Sequence, residues 1–291
     1  MNVPLGMSIR REDFDYIRGL LKEHSGVFLE DGKEYLLEVR LSPLFAELKV
    51  DSVAEVVAVL RRDNNRATRE HVLNTLLTNE TYFFRDIHPF EMLRDELLPE
   101  MFAARAARRQ IKIWSAACST GQEPYSIAMI VHDLLERHPG FSVEIVATDL
   151  SEENLEKARA AKYTQAEVNR GLPAPLLIRH FRKNESTWDL SETIRRMVTF
   201  RKVNLMEIGS QWSGFDVILL RNVLIYFDQA SKRSIIGRVR RALANDGAVM
   251  LGASETVLGL SDEFNIVHAG KASLYRPRIA ETAAVLSGVR K

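Results

Sequence analysis

The chain has 291 residues, 46% of them hydrophobic and 27% charged, which is ordinary globular composition with enough apolar material for two buried cores. Lysine and arginine total 40 against 39 acidic residues, a net charge of +1 that argues against nucleic acid as a partner. The single cysteine, Cys118, excludes an intramolecular disulfide and an all-cysteine metal site within one chain, and no metal is expected. The start lacks the apolar run of an export signal, and no apolar run approaches a membrane span, so a cytoplasmic protein without membrane insertion is expected.

In chain order, the first eighty residues read as helices. Ser8 is placed to cap a helix carrying Ile9, Phe14, Ile17 and Leu21, with Gly26 as its stop. A second pattern spans Lys33 to Leu48 with a break or restart at Pro43, because proline removes a helix donor and crowds the preceding turn. Asp51 and Glu55 open a third, in which Val53, Val56, Val57 and Leu60 share one face. Thr68 begins a fourth through Val72, Leu73, Leu76 and Leu77. These helices predict a small bundle without internal repeats.

From Ile111 onward, short apolar strands alternate with amphipathic helices, the pattern of a parallel sheet built from βαβ units. Strands are expected at Ile111 to Trp114, Val143 to Thr148, Val198 to Asn204, Phe215 to Leu220, Ala248 to Gly252 and Ala272 to Arg276. The clearest helices are Tyr125 to Glu136, Glu152 to Ala161, and Gln229 to Leu243 with Asp228 as cap.

Open α/β sheets bind ligands at the carboxyl ends of their strands, so the loops there carry the functional information. The loop from Ser115 to Tyr125 is rich in small residues and has one glycine, Gly121, with Pro124 suited to the first helical position. It lacks both the three-glycine dinucleotide fingerprint and the phosphate-cradling loop of nucleotide triphosphate enzymes. Asp149 ends the second strand, where an acid either accepts ribose hydroxyls or caps the following helix. Glu123 complements a helix dipole with or without a ligand. A close-approach loop and a ribose acid without a phosphate cradle point to a phosphate-free nucleoside ligand, of which S-adenosylmethionine is one.

The stretch Asn79-Glu-Thr-Tyr-Phe-Phe-Arg85, the loop Trp114 to Ser126, the run Ala147-Thr-Asp149, the pair Asn204-Leu205 and the segment Arg221 to Asp228 together resemble the bacterial chemotaxis receptor methyltransferases, the CheR family. The resemblance spans about residues 8 to 277 in matching order. It implies an all-α helical bundle followed by a doubly wound, Rossmann-like α/β methyltransferase domain with a small β-subdomain. It further implies transfer of a methyl group from S-adenosylmethionine to glutamate carboxylates on the cytoplasmic signalling helices of chemoreceptors, leaving S-adenosylhomocysteine.

The implied organisation is a receptor-recognition bundle over residues 1–77, a linker and cofactor-contacting segment over 78–110, a methyltransferase domain over 111–277 with its β-subdomain at about 175–203, and a flexible tail over 278–291. The chain is expected to act as a monomer. The resemblance places Asn79, Thr81, Arg85, Glu123, Asp149, Asn204, Leu205, Arg221 and Asn222 around the cofactor, and Arg85 with Tyr226 beside the transferred methyl. Tyr82, Phe83 and Phe84 are expected to be packing anchors, and Cys118 a small-residue position and not a nucleophile paired with His132 or His180.

Some relatives carry a glycine-rich turn in the β-subdomain that docks a receptor C-terminal peptide; Lys183 to Asp189 has no glycine, so independence from such a tether is expected. Lys33, Arg40, Arg61 and Arg62 either face the acidic receptor helices or form a solvated charged face. Two other classes stay open: a non-catalytic S-adenosylmethionine sensor and a nicotinamide-dependent oxidoreductase.

Overall fold

The computed structural model describes residues 9–62, 66–269 and 272–278. Helix α1 (Arg11–Ser25) buries Phe14, Ile17 and Leu21 along one stripe and ends at Gly26, whose positive φ of 77° lets its N–H bond back to Lys22 O. Its N-cap is Arg10; Ser8, expected to cap it, lies outside the described residues, as do residues 279–291 of the expected tail. Helix α2 (Glu34–Leu41) gives way at Ser42–Leu44 to a 3₁₀ turn containing Pro43, and α3 (Phe45–Leu48) follows. Helix α4 (Val53–Arg62) turns Val53, Val56, Val57 and Leu60 inward, and α5 (Arg66–Thr75) starts two residues earlier than expected and buries Val72 and Leu73. These faces share one apolar cluster, completed by Leu37, Leu41, Leu44 and Leu76.

The stretch expected as a linker contains a continuous helical run: α6 (His88–Met92), a widened π turn at Leu93–Leu97, and α7 (Leu98–Ala104). Phe90, Leu93, Leu97, Leu98, Met101 and Phe102 from this run pack in the same core as Ile111, Ile113 and Ile145 of the α/β layer. Pro89 and Pro99 interrupt its pattern; Pro89 sits in the first turn, where the missing N–H has no helical partner to lose, and Pro99 follows the π turn, where the regular hydrogen-bond ladder is already broken.

The central sheet is built from β1 (Gln110–Ala116), β2 (Ser142–Asp149), β6 (Val198–Lys202), β7 (Phe215–Leu220), β8 (Leu243–Leu251), β9 (Phe264–Ala269) and β10 (Ala272–Pro277), in spatial order β6-β2-β1-β7-β8-β10-β9. The first five strands of that order are parallel. The expectation of a purely parallel sheet is corrected at its far edge, where β10 runs antiparallel to both β8 and β9. Ala269 lies opposite Ala272, a connection too short for a parallel crossover and suited only to an antiparallel pair. Helices α8 (Gln122–Leu135), α9 (Glu152–Ala160) and α13 (Gln229–Ala242) flank the sheet, with the Asp228 carboxylate accepting the Ser231 N–H as the expected cap of α13.

A second sheet has order β3-β5-β4, from β3 (Lys162–Thr164), β4 (Phe181–Asn184) and β5 (Thr187–Leu190). It draws β3 from before residues 175–203, because an isolated two-stranded hairpin needs a third strand or a packing face to be stable. Short helices α10 (Gln165–Asn169), α11 (Ala174–His180) and α12 (Glu192–Arg195) surround it. No described helix is long and apolar enough to cross a membrane.

Candidate active site

Strand order reverses between β1 and β7, and such a switch point opens a crevice at the strands' carboxyl ends. The loop leaving β1 is strongly curled: Ala117 and Ser119 adopt positive φ of 55° and 50°, and Gly121 reaches 94°. A side chain at Gly121 would bring its Cβ within 2.9 Å of Ala158 Cβ, so glycine is required where the loop presses on α9. Helix α8 begins at Gln122, which makes Pro124 its third residue and not its first, still within the first turn, whose N–H groups have no intrahelical acceptor to lose.

Asp149 ties this loop to the next. Its carboxylate accepts Ser119 N–H at 2.8 Å, Ser151 N–H at 2.9 Å and Asn154 Nδ2 at 3.3 Å. Burial raises its pKa, and these hydrogen bonds to the charged form oppose the rise. The cap of α9 is Ser151, whose hydroxyl accepts Asn154 N–H, so Asp149 is not the helix cap. Asn79 joins the same network: its carbonyl accepts Ser119 Oγ at 2.8 Å and its Oδ1 accepts Asn154 Nδ2 at 2.9 Å.

Glu123 is nearly buried and takes Ser115 Oγ at 2.8 Å on one oxygen and Arg221 Nη1 at 3.0 Å on the other. The Arg221 side chain is wholly enclosed; its Nη2 donates to Arg85 O at 2.7 Å and Asp86 Oδ2 at 2.9 Å, and its guanidinium lies 5.3 Å from the Phe90 ring centroid. The side chain of Arg221 therefore binds the 79–86 segment to α8, a framework role that the motif alone did not distinguish from ligand contact. Phe84 and Asp86 in that segment, and Ile87 just after it, all have positive φ, a concentration of backbone strain beside the cleft.

Asn222 also has positive φ, 55°, and its buried Oδ1 has no hydrogen-bond partner. Its backbone is held by Glu255, a residue that sequence reasoning passed over. One Glu255 oxygen accepts the N–H groups of Asn222 and Gly252 at 2.7 Å each, and the other accepts Val223 at 2.8 Å and Leu224 at 2.7 Å. The signal that marks it is position: Glu255 lies in the loop at the carboxyl end of β8, where ligand-binding loops concentrate.

Asn79, Thr81, Arg85, Glu123, Asp149, Asn204, Leu205, Arg221, Asn222 and Tyr226 all line one cleft of about 360 Å³. The bundle contributes a wall of its own, including Phe28, Leu29, Lys33 and Arg40, which the sequence assigned to recognition or left unassigned. Arg40 is not free to meet a receptor: its guanidinium donates to Leu76 O and, at 2.7 Å, to Thr78 Oγ1. Asn204 caps the 3₁₀ turn Leu205–Glu207 through Met206 N–H, and its Nδ2 donates to His24 O at 3.1 Å. Cys118 is buried, and burial pushes its thiol pKa well up, so the thiolate needed for nucleophilic attack is disfavoured. Its expected non-partners His132 and His180 contact each other at 5.6 Å between ring centroids. Phe83 and Phe84 are core residues, whereas Tyr82 is only half-buried.

The cleft fits S-adenosylmethionine on three counts: the glycine-poor close-approach loop, the acid at the end of β2, and an orphaned buried acceptor, Asn222 Oδ1, awaiting a donor. Fold and cleft define an S-adenosylmethionine-dependent methyltransferase. Residues 12–77 match the family model described as CheR methyltransferase, all-alpha domain, and residues 79–272 match CheR methyltransferase, SAM binding domain. The chain is 40% identical over 266 residues to chemotaxis protein methyltransferase 1 of Vibrio cholerae, covering 90% of this chain and 95% of that protein. It is 37% identical over 276 residues to chemotaxis protein methyltransferase 1 of Pseudomonas aeruginosa, covering 94% of this chain and 100% of the relative. The chain belongs to the CheR family of S-adenosylmethionine-dependent chemotaxis methyltransferases.

Proposed function

We propose that this enzyme methylates glutamate side chains on the cytoplasmic signalling helices of membrane chemoreceptors, forming glutamyl methyl esters, and that it works as a cytoplasmic monomer without a receptor C-terminal peptide tether. The observation that carries this reading is that Arg85 and Tyr226, from distant parts of the chain, line the same cleft as the cofactor-side residues. Bound S-adenosylmethionine supplies a methyl group already activated by its sulfonium. A glutamate carboxylate is ionised at neutral pH, so the protein need not provide a strong base.

Alignment is what the protein adds. Arg85 donates one N–H, from Nη1, to Glu80 O at 2.8 Å and has Nε and Nη2 left to fork a carboxylate. Tyr226 offers a hydroxyl from the turn Leu224–Tyr226, whose backbone is steadied by Phe28 N–H bonding to Tyr226 O at 2.8 Å. Holding nucleophile and methyl in line is worth several kcal/mol, up to about 7–11 in well-oriented cases. A tighter charge clamp on the carboxylate would reduce its nucleophilicity, so positioning is the role assigned to Arg85.

Receptor helices rich in glutamate favour a basic docking face, for which exposed Lys33, Arg61 and Arg62 are available and Arg40 is not. Tether independence is supported by the β4–β5 hairpin, where Asn184 pairs with Thr187 and Glu185, not glycine, occupies the left-handed position at φ 47°.

The test mixes purified enzyme, methyl-labelled S-adenosylmethionine and a panel of receptor cytoplasmic fragments, and counts label released as methanol by base. Release that Arg85→Ala cuts to a small residual rate, and that Tyr226→Phe abolishes, is the expected result. Saturable cofactor binding with no release across the panel would favour a sensor instead. Micromolar binding of a free receptor C-terminal pentapeptide would overturn tether independence.

A further inference from the structure

Within the segment Asn79 to Arg85, the core absorbs Phe83 and Phe84 but leaves Tyr82 half-buried beside two cations. The Arg170 guanidinium lies 4.4 Å from the Tyr82 ring centroid and that of Arg85 lies 5.6 Å from it. Arg170 also pairs with the Glu80 carboxylate, and the Glu80 carbonyl receives the Arg85 Nη1 hydrogen bond. Both constraints on Arg85, the ring and the Glu80 backbone, thus lead back to Arg170. The next residue, Gly171, has φ 82°, and a Cβ there would stand 2.1 Å from Phe83 O. That contact, closer than any side chain permits, fixes the chain bearing Arg170 against the chain bearing Tyr82.

An aromatic partner suits this task better than a carboxylate. A ring face attracts the cation electrostatically without accepting its in-plane N–H donors, which stay available for a substrate carboxylate. A glutamate in place of Tyr82 would occupy the same donors that the substrate needs.

We propose that Tyr82 and Arg170 are positioning residues for Arg85: the ring, backed by the Arg170–Glu80 pair, holds the Arg85 guanidinium in the rotamer that presents its unbonded donors to the substrate. This inference rests on the reading of Arg85 as the holder of the substrate carboxylate. A long, unrestrained arginine spreads over many rotamers, and the fraction in the productive one scales the rate.

The experiment measures kcat and KM for receptor methylation, cofactor Kd by calorimetry, and melting temperature for Tyr82→Leu, Tyr82→Phe, Arg85→Ala and the double variant Tyr82→Leu/Arg85→Ala. Tyr82→Leu is expected to lower kcat roughly tenfold, with cofactor Kd and melting temperature unchanged. Tyr82→Phe, which keeps the ring, should stay within about twofold of wild type, and Tyr82→Leu should cost nothing further once Arg85 is alanine. An equal loss from Tyr82→Leu in both backgrounds, or a Tyr82→Phe as impaired as Tyr82→Leu, overturns the inference. Should Tyr82→Leu melt early, Arg170→Gln at an exposed site carries the same comparison, with a drop of roughly threefold expected in the Arg85 background only. Full activity of Arg85→Ala would overturn the carboxylate-holder reading itself, whereas a silent Tyr82→Leu beside a severely impaired Arg85→Ala would overturn only this inference.

Discussion

Replacing Glu255 by glutamine tests whether one buried carboxylate holds the cofactor-side loop in place. Each oxygen accepts two backbone N–H groups, Asn222 and Gly252 on one and Val223 and Leu224 on the other, all at 2.7–2.8 Å. Glutamine in either flip sets an NH₂ donor against two of those four donors. Leaving a buried donor unsatisfied costs about 1–3 kcal/mol, so the substitution should cost about 2–6 kcal/mol, nearer the lower figure where the loop opens enough to admit water. For a chain of this size that corresponds to a melting temperature lower by roughly 4–24 °C, at about 2–4 °C per kcal/mol. Gly252 leaves no room for compensation, since a Cβ there would stand 2.6 Å from Glu255 Oε2 and 2.8 Å from Asn222 N. Cofactor affinity should fall along with stability, because Asn222 and the turn Leu224–Tyr226 lose their common anchor. Thermal melts and cofactor calorimetry on Glu255→Gln provide the readout. A melting temperature within 2 °C of wild type, with affinity unchanged, would refute the assigned role.

Two further outcomes are expected. Cys118→Ser should keep most activity, and the native thiol should label slowly with a thiol reagent until urea is added, because burial disfavours its thiolate; complete loss of turnover with cofactor binding intact would contradict this. Asp228 has its carboxyl held at about 2 by Lys22 Nζ at 2.7 Å and by the amide and hydroxyl of Ser231. The ordinary value is about 3.9, so the stabilisation is present above pH 4 and lost as pH falls toward 2. Asp228→Asn, which still can cap α13, should therefore be less stable than wild type at pH 7 by no more than about 1 kcal/mol for so exposed a pair, with the gap closing in melts below pH 4. A gap independent of pH would show that the charge contributes nothing.

Where a helix buries a regular stripe, as at Phe14, Ile17 and Leu21 or at Val53, Val56, Val57 and Leu60, the sequence was enough to place it, because periodicity and burial are the same fact. The helical run His88–Ala104 is masked in the sequence because two prolines interrupt its pattern; Pro89 is harmless in the first turn, and Pro99 follows the π turn Leu93–Leu97, where the regular ladder is already broken. Strand β3 is three residues long, and β9 is an edge strand; both are defined by their partners and not by local pattern. At the cleft, the motifs marked which stretches of chain converge but not what each side chain does there. Arg221 and Glu123 pair with one another, and Asn204 reaches back to His24, contacts between residues 98 and 180 positions apart that no local spacing encodes. Glu255 belongs to no motif, and its role follows only from four amides converging on it.

The division between the helical bundle, proposed to serve recognition, and the methyltransferase domain is less sharp in three dimensions than along the chain. The connection after α1 crosses onto the methyltransferase domain, where Val27 bridges Phe227 and Phe28 N–H bonds to Tyr226 O. The Lys22–Asp228 pair and the Asn204–His24 hydrogen bond flank that crossing. Tyr226 is thus held through its own carbonyl by a residue of the bundle, and Asn204, expected to serve the cofactor, divides its amide between the 3₁₀ turn at Leu205 and α1. Phe28, Leu29, Lys33 and Arg40 complete the cleft wall from the same side. A helix pressed against the bundle consequently bears on the cleft through backbone hydrogen bonds and not through a flexible hinge. The backbone of Tyr226, beside the reacting carboxylate in the proposed mechanism, takes its position partly from Phe28, in the connection that leads to Lys33 of the proposed receptor-docking face.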